Sequence, residues 1–557
     1  MNRSLVRLFN NGKQLPVPHT LQFFSATRKS ATFAHQETLV DRLLRNNATR
    51  ASDPKYPSQF KRGRKHRQSA PLQSSFSHSI VVLAVVASTA AIYWTICLSR
   101  TGPVEIASDL SLSTMATTQA PPGHFGNLSA EQERKLQEFW QAVAGVSGWS
   151  ERGTGIAQDA VKKAAAPESE PQPSSGGWGF SMFRKNDNAE SSGKSTVDED
   201  KFGLNKQFSE VLAKQSAETI RDSIWEMTKH DHPDVLALRF LRARKWDVQQ
   251  ALVMFVTAVN WRKNEMKVDD DIMRNGEAGA LHDERDGSGG AKQVGADFLA
   301  QLRMGKSFLH GADKEGRPVC VVRVRLHHGG EQSAESIEKY TVHVIETARL
   351  LLNPPVETAT IIFDMTSFTL SNMDYAPVKF MIKCFEANYP ESLGAVLIQN
   401  APWLFQGIWR VIKPWLDPVV AAKVHFTNGR SGLEEFIAPS QTPKELGGDE
   451  DWEYKYIEPA ENENAAMQDT ATRDKILGER SALVKEFEEA TKSWLRESDK
   501  ESGQEARKTR DSIATQLKDN YWKLDPYIRA RSLYDRQGVI GTNGVINFYP
   551  GTTAAEN

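Results

Sequence analysis

Between Tyr389 and Lys423 the chain reads YPESLGAVLIQNAPWLFQGIWRVIKPWLDPVVAAK. A strand-type run, Ala395-Val396-Leu397-Ile398, passes through Asn400-Ala401-Pro402 into a Trp- and Phe-rich helical pattern that ends at Asp417-Pro418. Few architectures accept such a segment. The strand needs neighbours in a sheet, and the helix must cover an apolar surface or lie against one. The same alternation holds upstream. Ser307-Phe308-Leu309-His310 and Pro318 to Leu326 read as strands joined by the turn Asp313-Lys314-Glu315-Gly316. Ile337 to Leu352 reads as a helix stopped by Asn353-Pro354-Pro355, Thr360 to Asp364 as a buried strand, and Pro377 to Asn388 as a helix. The pattern predicts an α/β lobe with a mixed sheet.

Helical segments flank this lobe. Over 204–263 the residues Leu238, Leu241, Trp246, Val248, Ala251, Leu252 and Phe255 recur at helical spacing about a turn at Lys245-Trp246-Asp247, where Asp247 suits an N-cap. A further helix starts at Ser129, with Gln132 placed for a capping box. Residues 147–200 are rich in Ser, Gly, Pro, Lys and Glu and are expected to be a disordered insertion. Residues 270–296, polar and Gly-rich, are expected to be a loop. Residues 462–557 carry two charged helical segments, around 474–497 and 505–522, expected to pack on the periphery of the lobe.

The N-terminal region is different in kind. Residues 1–76 are basic, with no acidic residue before Glu37, and fit a mitochondrial-type presequence or a disordered basic tail. Residues 79–99 contain the uncharged run Ile80–Leu98, which as a helix is roughly 28 Å long and matches a bilayer's hydrocarbon core. The expectation is a transmembrane helix, followed by a linker over 100–126. The protein is then membrane-associated, in a mitochondrial membrane or an endomembrane, unless translation starts at Met115, in which case it is cytoplasmic.

Net charge is −1, which gives no global attraction to nucleic acid. The three cysteines lack ligand spacing and read as free thiols. His327-His328 on a strand end would point to opposite faces, so no metal site is expected. No P-loop, GxSxG or HExxH pattern occurs, and no catalytic constellation can be assembled.

Together, the LALRFLRARKW segment, the alternating lobe and the YPE…LDP…K stretch resemble the Sec14-like (CRAL-TRIO) phosphatidylinositol transfer protein family, in its fungal Csr1-like branch. The resemblance implies an N-terminal helix of the module at 127–146, a small helical domain at 204–265, a lipid-binding lobe at 297–458 and a helical C-terminal extension at 462–557. It implies a monomer that holds one lipid in an internal pocket, with no enzyme activity and no cofactor. Glu391 of YPE and Lys423 after LDP match the family's inositol-headgroup pair, and Arg244-Lys245 of ARKW match another headgroup-facing position. Trp403, Phe405, Gly407, Trp409 and Trp415 fall on the family's gate helix, with Gly407 as a hinge. Members that also bind phosphatidylcholine carry two hydroxyl residues where this chain has Ala359 and Ile361, so phosphatidylinositol is favoured. A second ligand would be more apolar: a sterol, squalene or another isoprenoid. Ser392 stands where the best-known members have a basic residue. The implied function is binding of phosphatidylinositol and its transfer or presentation at a membrane surface. The alternative is a membrane-anchored, lipid-sensing scaffold.

Overall fold

The computed structural model describes residues 120–150, 200–497 and 501–550. The expectations for 1–76, for the apolar run at 80–98 and for most of 147–200 lie outside these residues. The membrane-anchored localisation is corrected: among the described residues no helix is long and apolar enough to cross a membrane.

Local signals in the sequence account for most helix starts. α1 (Ala130–Val146) begins at Ser129, whose hydroxyl accepts from the backbone of Gln132 while the Gln132 side chain accepts from the Ser129 N–H. α2 (Leu204–Lys214), α3 (Ala217–Thr228) and α4 (Pro233–Ala243) follow. α5 (Val248–Asn260) is capped by Asp247. α1 to α5 bury a shared set of apolar side chains including Phe139, Phe208, Phe240, Leu241 and Phe255.

Residues 270–296 are not a loop. α6 (Arg274–Asp286) and α7 (Gly289–Arg303) form a helical pair that buries Leu281, Phe298, Leu299 and Leu302 against Tyr340. Glycine here serves close approach. A Cβ on Gly295 would lie 2.7 Å from the Ala280 carbonyl of the facing helix.

The sheet has five strands in the order β1-β2-β3-β4-β5. β1 (Ser307–Ala312) and β2 (Pro318–Arg323) are an antiparallel hairpin closed by a turn in which the Gly316 N–H donates to Asp313. β3 (Ala359–Asp364), β4 (Leu393–Gln399) and β5 (Val424–Thr427) continue it in parallel. β2 ends at Arg323, so His327 and His328 follow a short 3-10 turn rather than a strand end. The parallel strands are linked by helical crossovers: α8 (Ala334–Leu350), α9 (Tyr375–Lys383) with a wider π-type turn over Cys384–Asn388, then α10 (Phe405–Ile412) and α11 (Pro418–Ala422).

Strand register gives the sheet two unlike faces. Phe308, Val319, Val321, Ile362, Ala395 and Leu397 pack into a core with Leu433 of the short α12 (Gly429–Glu434) and with Ile437 and Leu446. On the other face Cys320, Ile361 and Val396 sit side by side, as do Val322, Phe363 and Ile398.

The C-terminal hairpin of α13 (Thr470–Arg496) and α14 (Glu501–Ile528) departs from expectation. Val484, Phe487, Trp494, Ile513 and Leu517 join the core of the N-terminal helices, not the lobe. The last turns of α14, through Tyr521 and Trp522, and the region after it, through α15 (Leu533–Arg536), pack on the lobe, where the Tyr534 hydroxyl accepts from the Leu309 N–H at 2.7 Å.

Candidate functional site

The second face of the sheet opens onto a cavity of about 300 Å³. Its floor is Cys320, Val322, Ile361, Phe363, Val396 and Ile398, and its walls come from α8, α9 and α10. Most of the lining is aliphatic or aromatic, with a minority of polar and charged residues such as Arg239, Lys306 and Asp374, which suits a largely apolar ligand shielded from water. Ala359 and Ile361 both lie on the wall and offer no hydroxyl there.

α10 covers one side. Phe405, Trp409 and Ile412, and Leu416 just beyond the helix, face the cavity, while Trp403 is 87% exposed and Val411 also points outward. Phe405 and Trp409 pack on Phe426, with ring centroids 6.3 and 5.4 Å away. Trp415 meets Tyr375 edge-on at 5.5 Å and lies under the Lys379 ammonium. The far end of this segment is tied down, because the Asp417 N–H donates to Glu386 at 2.7 Å. Gly407 lies inside α10, with open space beside it.

The π-type turn after α9 brings Tyr389 to the cavity wall and is followed by Glu391, whose φ is +53°. Lys423 caps the end of α11, immediately before β5. The structure brings this pair together: Lys423 Nζ donates to Glu391 Oε2 at 3.3 Å, with both side chains 23% exposed. Neither lines the cavity, but Ser392, Val420 and Val424 beside them do. The Ser392 hydroxyl donates to the Tyr389 carbonyl.

Arg244 and Lys245 do not line the cavity; they form the turn that ends α4, where Lys245 and Trp246 take positive φ. Arg239, earlier on the same helix, does line it. Its side chain is buried, and its Nε has no hydrogen-bond partner. Burial lowers its pKa, opposed by the nearby charges of Asp231 and Glu357. A second cation, Lys306, lines the cavity near the opposite strand ends. Sequence reading missed both. Arg239 sits among apolar helix residues and Lys306 at the start of a strand, and neither position carries a motif.

One group of potential metal ligands occurs among the described residues: His232, Asp234 and Asp511, with atoms within 4.8 Å of one another. Asp234 is already held by Arg510 and by the Trp140 N–H, so the group reads as part of an ion-paired core. His327 lines the cavity, with Nε2 at 3.5 Å from Asp374.

Comparison with known proteins agrees with this architecture. Residues 302–448 match the CRAL/TRIO domain and residues 205–257 the CRAL/TRIO N-terminal domain. A CRAL-TRIO domain-containing protein of Schizosaccharomyces pombe is 42% identical over 74% of this chain and 91% of its own length. Phosphatidylinositol transfer protein CSR1 of Eremothecium gossypii is 38% identical over 76% of this chain and 99% of its own. Sec14 cytosolic factor of Schizosaccharomyces pombe is 30% identical over 39% of this chain and 74% of its own. At these identities, across nearly the whole of two relatives, the chain belongs to the Sec14-like CRAL-TRIO family, in its fungal Csr1-like branch.

Proposed function

We propose that this protein binds one phosphatidylinositol molecule in the cavity and moves it between membranes. The observation that carries the reading is an apolar cavity with a paired Glu391 and Lys423 at the adjacent ends of β4 and β5. In the proposed complex Lys423 turns from Glu391 to the lipid phosphate, and the freed carboxylate accepts from inositol hydroxyls. Arg244 and Lys245 add positive potential from the end of α4. The acyl chains lie over the sheet, each buried methylene worth about 0.8 kcal/mol. That gain requires a closed cover, which α10 supplies. Its outward Val411, with Trp403 just before the helix and the exposed Phe426 packed on Trp409, offers apolar surface suited to a bilayer. Opening of this helix on the membrane is the proposed exchange step. No covalent chemistry is assigned.

The name of CSR1 supports phosphatidylinositol as ligand. The bare wall at Ala359 and Ile361 supports rejection of choline lipid, because a buried phosphodiester there would lack partners. A sterol, squalene or other isoprenoid fits the same wall as a second ligand. The test is transfer of labelled phosphatidylinositol between vesicles by the full chain. Lys423→Ala is expected to lower the rate on the order of tenfold or more. Transfer at the wild-type rate would refute the headgroup assignment, and phosphatidylcholine as the main co-purified lipid would refute the argument from the wall.

A further inference from the structure

The cavity runs along the parallel strands and has two chemically different ends. Glu391, Ser392 and Lys423 stand at the amino-terminal ends of β4 and β5. Lys306 stands at the other end. Its carbonyl accepts from the N–H of Arg323, the last residue of β2, and Arg323 is level with Asp364 and Gln399, the last residues of β3 and β4. β3 alone is six residues long, so the two ends are roughly 17 Å apart.

At this carboxy-terminal end the Lys306 residue is 6% exposed. Its ammonium donates to Gln332 Oε1 at 2.6 Å, with longer contacts to His327 Nδ1 at 3.4 Å and Gln301 Oε1 at 3.5 Å. All three partners are uncharged acceptors. The neighbouring carboxylates have other partners or lie farther off, Asp297 and Glu331 acting on Lys306 only through their fields. Arg323 holds Glu445, Arg325 holds Asp364, and Asp374 faces His327. Asp297 accepts from Gln293 and from the Ser333 N–H. Among the described residues no carboxylate forms an ion pair with Lys306. The ammonium therefore stands in the wall of a largely apolar cavity with no carboxylate in contact, only Asp297 and Glu331 acting on it from farther off, a costly arrangement unless something neutralises it.

We propose that Lys306 anchors the acidic end of a long-chain carboxylate, a free fatty acid, whose tail lies over the sheet. A monoanion matches the single charge of this ammonium. Gln332 and Gln301 hold the ammonium in place, and the carboxylate takes up its remaining hydrogen-bonding capacity, in place of the long contact to His327. This inference rests on the lipid-cavity reading and adds to it a second end-group site, remote from the inositol end.

The test compares oleate with its uncharged methyl ester in displacing a fluorescent fatty-acid analogue from the purified full chain, beside a phosphatidylinositol-binding assay. Wild type is expected to prefer the acid on the order of tenfold. Lys306→Met is expected to bind both alike while still binding phosphatidylinositol, and Lys306→Arg and Lys423→Ala to keep the preference. Equal binding of acid and ester by wild type overturns the assignment. So does a preference that survives in Lys306→Met. If phosphatidylinositol and both oleate forms all fail to bind wild type, the lipid-cavity reading fails with it. Phosphatidylinositol binding without preference for the acid sinks only the Lys306 site.

Discussion

Two buried cations in this molecule are treated in opposite ways. Arg510, in α14, is wholly buried where the C-terminal hairpin meets the N-terminal helices. Both its terminal nitrogens donate to Asp234, at 2.9 and 2.5 Å, and its Nε donates to the Thr491 hydroxyl. The Trp494 and Phe487 rings lie 4.2 and 4.7 Å from the guanidinium, and the Trp140 N–H completes the Asp234 shell. Lys306 is nearly as buried, yet its partners are neutral and it faces an apolar cavity. A charge that holds two parts of a fold together is neutralised in place. A charge kept for a ligand is not, and the fold bears that cost.

The largest way to break this comparison is Arg510→Met. It leaves Asp234 buried beside Trp140 without a cation. Burial raises the Asp234 pKa, but Arg510 and His232 outweigh it and bring the group below its usual range. Loss of one partner of such a pair is expected to cost about 3–5 kcal/mol, measured by urea unfolding of the full chain. Glu488 is a second staple in the same interface, accepting from Arg221 at 2.7 and 2.6 Å and from the Trp225 indole. If Arg510→Met unfolds within about 1 kcal/mol of wild type, the hairpin is not fastened by this ion pair.

The interface and the cavity also differ in how visible they were from sequence. The α/β lobe was legible because its signals are local. The Asp313–Gly316 turn, the period of β3 and β4, and the Ser129 and Asp247 caps each act within a few residues. Glu391 and Lys423 were legible only through the family resemblance. The pairing of Arg510 with Asp234 was not, because the two are 276 positions apart and each alone reads as a surface charge. α6 and α7 were hidden for another reason. Gly279 and Gly295 suggest a loop, whereas the missing Cβ at Gly295 lets the two helices approach. Arg239 and Lys306 face the cavity only once the strand order is known.

Lys306 gives a smaller effect of distinctive sign. Burial lowers its pKa from the usual 10.5 to about 8, with Glu331 and Asp297 opposing the shift. Between pH 8 and 10.5 the unfolded chain thus holds more protons than the folded one, and stability rises with pH across that window. Below pH 8 both states are protonated, and the burial cost is borne in full. The difference in unfolding free energy between wild type and Lys306→Met should therefore shift in favour of wild type as pH is raised from 8 to 10.5. At pH 7 the methionine variant is expected to be equally stable or more stable, by about 1 kcal/mol. A Lys306→Met protein clearly less stable at pH 7 would move Lys306 into the structural class with Arg510.

The Glu391–Lys423 pair stands between these extremes and should give the smallest stability effect. Both side chains are partly exposed, and their contact at 3.3 Å is long for a charge-assisted hydrogen bond. Water screens such a pair, so a double-mutant cycle with Glu391→Gln and Lys423→Ala is expected to give a coupling below about 1 kcal/mol. The same substitutions are expected to remove most phosphatidylinositol transfer. Charges that matter for a ligand and hardly for the fold are what a binding site requires, because the pair must separate when the headgroup arrives. A coupling of several kcal/mol with transfer intact would instead make the pair a structural clasp between β4 and β5, of the Arg510 kind.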